Sequence, residues 1–269
     1  MTRELFFACA LAAASPLAGC GDTTGSALFN FAATAAGPTD AVNGQPLEVA
    51  MTGSGFHLAI TSAKIHVGAA YLASAGQASG APAGACTLAL DPSAYVGQVF
   101  GPLDVDLLSP DPIAFPAKGQ TIAAPTKVGE VWLTGGDVDT IADSTVILHV
   151  EGTADRGGVF YPFIADVTIG ENRLKPVQNP GLPGSAPICQ QRIVTPIAID
   201  VTPTVGGSLQ LRIDPRGMFN EVDFTSTDVT KVSDSPLLYR IPDAKGGAGG
   251  ALFDGLRSNS SVYSFIWSN

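Results

Sequence analysis

The sequence predicts an all-β protein, a single antiparallel β-sandwich with long loops and little helix. Three observations carry that expectation. Apolar residues recur in short alternating runs, the period of half-buried strands. Turn formers are abundant, with 31 glycines and 20 prolines, and they punctuate the runs. Hydrophobic residues still reach 45%, so the chain can bury a core and is not a disordered polymer. Ten or so short strands with few helical periods argue for a sandwich.

The elements follow in order. Ala27 to Ala33 alternates with Phe29 and Phe31 on one side, and Leu47 to Thr52 is a second short run. Phe56, Leu58 and Ile60 share one parity, whereas Ala63, Ile65 and Val67 share the other. That phase change of one residue between Thr61 and Lys64 predicts a bulge or a break. Ser74 to Ala85 reads as a surface loop. Apolar runs follow at Thr87–Leu90, Leu103–Leu108 and Val128–Leu133. The clearest hairpin joins Thr145–Thr153 to Val159–Ile169 through Asp155-Arg156-Gly157-Gly158. A second is expected from Arg192–Val201 through Thr204-Val205-Gly206-Gly207 to Ser208–Ile213. Gly170 to Pro187 is a long Pro-rich connection between them. Asp214-Pro215-Arg216-Gly217 has the form of a type I turn. Lys245 to Gly250 reads as a linker, Ala251 to Arg257 as one or two helical turns, and Val262–Trp267 as a last strand. No fixed-period repeat and no composition step marks a second domain.

Leu17-Ala18-Gly19-Cys20 is a small-residue cleavage box ending in cysteine, directly after the uncharged apolar run Leu5–Ala18. The run is too short to cross a bilayer, so it reads as a secretory signal. Small side chains let the backbone enter a peptidase site, and a thiol is the nucleophile that carries a thioether-linked lipid. These residues resemble the signal of bacterial lipoproteins. The resemblance implies a signal peptide over 1–19, lipidated Cys20 as the mature N-terminus with a tether over 20–26, and a β domain over 27–269. It implies palmitate-type acylation, export, and membrane partnership through the lipid. Gly21 in place of Asp after that cysteine points to the outer membrane over the inner. Cys9 is discarded with the signal. The thiols left are Cys86 and Cys189, an even remainder that predicts one disulfide in an exported protein. Its long loop stabilises by about 4–5 kcal/mol on the chain-entropy model.

The net charge of −10 and pI near 4.5 repel phosphate backbones, and no basic patch offsets them, so nucleic acid is not an expected partner. Asp137, Asp139 and Asp143 crowd oxygen ligands behind Gly135-Gly136, which is what Ca²⁺ requires. The spacing lacks the central Gly and closing Glu of the helix-loop-helix calcium pattern, and a solvated turn is the bland reading. The three histidines, His57, His66 and His149, lie in expected strands without ligand spacing, and His57 and His66 have opposite parity. Asp104 and Asp106 share a strand face and suit a protected edge. The order of features is similar to copper-binding lipoproteins found with methanobactin systems: the lipobox, the pair Tyr71-Leu72 closing an early strand, and Cys189-x-x-Arg192 leading into a late one. No ligand motif carries over.

No nucleophile elbow, SxxK, HExxH or phosphate loop occurs. Gly53-Ser54-Gly55 before His57 reads as a turn serine, Phe160-Tyr161-Pro162-Phe163 as core plus edge, and Arg216 as a structural turn residue that pairs with a carboxylate or holds an anion. The expectation is therefore a lipid-anchored envelope protein that binds or scaffolds without catalysis. A protein or surface ligand would be met through Ser74–Ala85 and Gly170–Pro187. The alternative is a metal-binding lipoprotein, with copper or calcium as the cofactor; a further one is an unrecognised hydrolase.

Overall fold

The computed structural model describes residues 27–74, 95–133, 145–168, 194–258 and 261–269. The strands are β1 (Phe29–Ala36), β2 (Leu47–Val49), β3 (His57–Ala73), β4 (Tyr95–Asp106), β5 (Ile113–Ala114), β6 (Gly119–Thr121) and β7 (Thr126–Trp132). They continue with β8 (Val146–Arg156), β9 (Val159–Thr168), β10 (Val194–Val201), β11 (Ser208–Ile213), β12 (Thr230–Asp234), β13 (Leu237–Ile241) and β14 (Tyr263–Ser268). A 3-10 turn covers Pro215–Phe219, and a single helix, α1, covers Gly247–Leu256 among the described residues. The all-β class stands. The strands form one mixed sheet in the order β12-β13-β9-β8-β3-β4-β6-β1-β11-β14, with β7 bridging β3 to β10.

β3 organises this sheet. Its first half pairs with β2 and β8, and its second half with β7; β4 runs beside it from Lys64 to Ala73. One 17-residue strand thus has four neighbours, two along each edge. The expected phase change is a bulge: the β3–β8 register shifts between Ile60 and Ser62. Phe56, Leu58 and Ile60 before it and Ala63, Ile65 and Val67 after it are all buried. A second shift, against β4, falls between Val67 and Ala69. After it Ala70 and Leu72 join the main core, while Ala69 and Tyr71 pack on the other side with Trp132.

The core lies between the inner sheet face and the segment after β11. Phe163 of β9 meets Phe224 at 4.9 Å between ring centroids and Phe219 at 5.5 Å, and Phe56 meets Phe224 at 5.1 Å. Met218 and Val222 are buried with them, as are Leu252 and Leu256 from α1. The Phe160–Phe163 run divides as expected, with Phe163 buried and Phe160 exposed.

Four expectations need correction. The sheet is not wholly antiparallel, because β1–β11 and β9–β13 are parallel. Both are pairings between segments far apart in the chain, which local periodicity does not report. The second hairpin does not form: β10 pairs with β7, and β11 with β1 and β14. Thr204–Gly207 is a turn, closed by Gly207 N–H donating to the Thr204 carbonyl at 3.1 Å, but it redirects the chain to another part of the sheet. Gly207 answers to packing there, since a Cβ would sit 2.5 Å from Trp267 Nε1. The supposed linker after Lys245 is the first turn of α1. Its glycines permit close approach: a Cβ on Gly249 would lie 2.1 Å from the Pro242 carbonyl oxygen and one on Gly255 2.0 Å from that of Met218. Asp228 accepts from Ala248 N–H at 3.0 Å at the start of this helix. Burial pushes the Asp228 carboxyl up, but hydrogen bonds from Ser226 and the Ala248 and Gly249 backbone hold it below its usual value. Finally, the turn after Asp214 continues into the 3-10 turn, with Asp214 accepting from Arg216 N–H.

Candidate functional site

Strand alternation sends every second side chain of β3 and β8 outward. By parity alone His57 and His66 would face opposite ways. The one-residue bulge between them restores both to the outer face, because a one-residue insertion flips every side chain beyond it. His149 joins them: it stands opposite Lys64 in register, between buried Leu148 and Val150. All three histidines of the chain therefore project from one open sheet face.

Each has a carboxylate. His57 Nε2 lies 3.4 Å from Glu48 of β2. His66 Nδ1 lies 2.8 Å from Asp104 of β4; a carboxylate only accepts, so Nδ1 is the donor of this pair. His149 Nδ1 is 2.7 Å from Asp166 of β9, and its Nε2 is 3.2 Å from Glu151. Arg240 of β13 reaches the other oxygen of Asp166 at 3.6 Å. In register, Asp166, His149, Lys64 and Asp106 form a row across four strands. Asp104 thus serves the face and not only an edge.

Two other arrangements were half legible. Arg216 is clamped: Nε and Nη2 donate to Asp214 at 2.9 and 2.6 Å, and Nη1 and Nη2 to Asp40 at 2.8 and 2.9 Å. These hydrogen bonds raise the guanidinium further above its ordinary value and hold the Asp40 carboxyl below its own. The carboxylate reading of Arg216 stands, and two acids already occupy its fork. Ser54 Oγ donates to the Val222 carbonyl at 2.6 Å while His57 turns to Glu48, so Ser54 is a turn serine.

Sequence reasoning missed Glu130. It is 2% exposed, and its Oε2 accepts from Tyr95 OH at 2.9 Å and Trp132 Nε1 at 3.1 Å. The Tyr71 ring lies over Trp132 at 4.5 Å, Tyr95 at 5.1 Å and Phe100 at 5.6 Å. The available signal was a lone acid, of the same parity as a tryptophan, in the otherwise apolar Val128-Gly-Glu-Val-Trp-Leu133. A concavity of about 450 Å³ beside α1 is lined by Asn220, Glu221, Lys245, Asp254 and several glycines.

Cys20, Cys86 and Cys189, the aspartates Asp137, Asp139 and Asp143, and almost all of the loops Ser74–Ala85 and Gly170–Pro187 lie outside the described residues. Among the described residues no group of three or more His, Cys, Asp or Glu is placed to hold a metal ion, and no helix is long and apolar enough to cross a membrane.

No protein-family model matches the chain, nor does any curated protein. Among solved structures, MbnP from Methylosinus trichosporium aligns with a TM-score of 0.40 and 11% identity, over 90% of this chain and 100% of that one. At that score the likeness carries no argument.

Proposed function

We propose that this chain is an exported protein, anchored to the cell envelope by lipid on Cys20, that binds or scaffolds a partner across the outer face of its sheet. The cleavage box at Leu17–Cys20 supports the anchor. The observation that carries the binding role is the placement of His57, His66 and His149 on one open face, each against a carboxylate. Such groups on interior strands are held in place before a ligand arrives, which lowers the ordering cost of recognition. Proton transfer in catalysis asks for something else, a base aimed at a nucleophile in a site that excludes water. Here the second nitrogen of His149 meets Glu151, another acceptor.

Two experiments test this. Cys20→Ser should move the protein from the membrane fraction to a soluble or uncleaved form; unchanged partition and mass would remove the anchor. A photoreactive side chain at Glu151 should give a discrete adduct in intact cells, and the same group at Lys231 on strand β12 should not. No adduct at 151, or equal adducts at both, would remove the face as the binding site.

The second reading is metal binding: calcium rests on the oxygen density of Asp137, Asp139 and Asp143, and copper only on the resemblance of the sequence to copper-binding lipoproteins. Chelator should then lower the melting temperature, with Asp139→Ala abolishing the difference; identical melting with and without chelator disposes of it.

A further inference from the structure

We infer that the end of the sheet at which β1 begins rests on the lipid surface, so that the protein stands end-on to the membrane with the β8–β9 hairpin outermost. The inference builds on the lipid-anchor reading and adds an orientation to it. Only Gly21–Ser26 separate Cys20 from Ala27, and seven fully extended steps span at most about 25 Å. Whatever surface holds the Cys20 lipid is therefore within that reach of Ala27.

Register shows what shares this end. Ala32 pairs with Ser208, and Ser208 with Ser268. The start of β1, the Thr204–Gly207 turn and the last residues of β14 therefore lie together. Phe29 and Gly97 both pair with Thr121, which adds β6 and the first residues of β4. Those segments carry no charged side chain: 27–36, 95–103, 119–126, 202–209 and 263–269 contain no Asp, Glu, Lys or Arg. In a chain with 24 acids and 14 bases, described segments without charged side chains are the ones that headgroups and acyl chains desolvate at least cost.

The apolar groups there are also exposed. Val205 at the tip of the turn is 81% exposed, Leu28 63% and Ile266 44%. Trp267 tilts against Phe31 at 5.3 Å between centroids, and its Nε1 donates to Thr204 Oγ1 at 3.4 Å and Asn269 Oδ1 at 3.2 Å. An indole with an apolar body and a bonded polar edge suits the membrane–water boundary. Nearby Lys127 and Asp200 neutralise each other at 2.6 Å. The opposite end differs: around the β8–β9 turn stand Glu48, Asp155, Arg156 and Asp223, beside His57.

The test is hydrogen exchange read by mass spectrometry, comparing the lipidated chain on phosphatidylcholine vesicles with soluble Cys20→Ser. Amides of 203–207 and 263–269 should exchange several-fold more slowly on vesicles, and those of 155–160 should not change. Val205→Asp should leave lipidation and sedimentation with vesicles intact while reducing the protection at 203–207. Unchanged exchange at 203–207, or protection at 155–160 in its place, overturns the orientation. If the mature chain carries no acyl mass, the anchor reading fails by itself. Replacing residues 1–20 with six histidines on nickel-chelating lipid then tests the orientation alone: slowed exchange at 203–207 supports it and unslowed exchange overturns it.

Discussion

The outer side of β3 changes character along its length. From His57 to His66 it presents His57, Lys64 and His66 to water beside carboxylates of β2 and β4, and from Ala69 to Ala73 it presents Tyr71 to an aromatic cluster around the buried Glu130. Both regions use carboxylates against ring N–H or phenol donors at similar distances, 2.7–2.8 Å at His149 and His66 and 2.9–3.1 Å at Glu130. The difference is solvent. An exposed pair exchanges water contacts for protein contacts at little net gain, whereas hydrogen bonds to a buried acid act in a lower dielectric and are worth more. The first region is suited to meeting a ligand and the second to fixing the junction of β3, β4 and β7.

Glu130→Ala is the largest break in that comparison. It removes the charged acceptor shared by Tyr95 OH and Trp132 Nε1, two charge-assisted hydrogen bonds, and the cost should be about 2–4 kcal/mol, read as a lower urea midpoint with an unchanged slope. Glu130→Gln keeps an acceptor and should recover part of the loss. If Glu130→Ala matches the parent protein, the cluster is not structural.

The contrast also explains what the sequence made legible. Alternation and the Asp155–Gly158 turn mark β8 and β9 because hairpin pairing is local. The bulge near Ser62 showed as a parity change because both halves of β3 keep apolar residues inward. That same bulge brings the histidines onto one face, so the site was implicit once the bulge was taken as continuous strand. β12 escaped notice because Thr230–Asp234 is mostly exposed, with no apolar face to set a period. Gly207 misled because a glycine demanded by a tryptophan ring reads the same as one demanded by a hairpin. The partners of β1, β10 and β11 lie far away in sequence, and nothing local encodes them.

On the open side, His149→Ala should cost under about 1 kcal/mol, although it removes contacts to Asp166 and Glu151 together. Asp166→Asn should be similarly mild. What both should weaken is crosslinking from position 151 to a partner. A loss comparable to that of Glu130→Ala would mean that the face is a structural network, and the distinction between the two regions would fall.

A similarly small effect is expected at the Asp40–Arg216 pair. Asp40 is bidentate to a partly buried guanidinium, yet 61% of its own side chain is exposed. Hydrogen bonding to Arg216 lowers its carboxyl below the ordinary value. A carboxyl lowered on folding contributes stability above its unfolded value, near 4, and loses it as pH falls through the folded value. Asp40→Asn should therefore cost a few tenths to about 1 kcal/mol at pH 7, once screening by water is allowed for. The gap between parent and variant should stay level from pH 7 to about pH 5 and close as pH drops below about 4. Added salt should narrow it at pH 7, since the exposed carboxylate is open to counterions. A gap that ignores both acid and salt would mean that the bidentate geometry acts by packing alone. Asp40 would then belong with Glu130 as a structural group, and exposure would no longer separate carboxylates that hold the fold from those left free for a ligand.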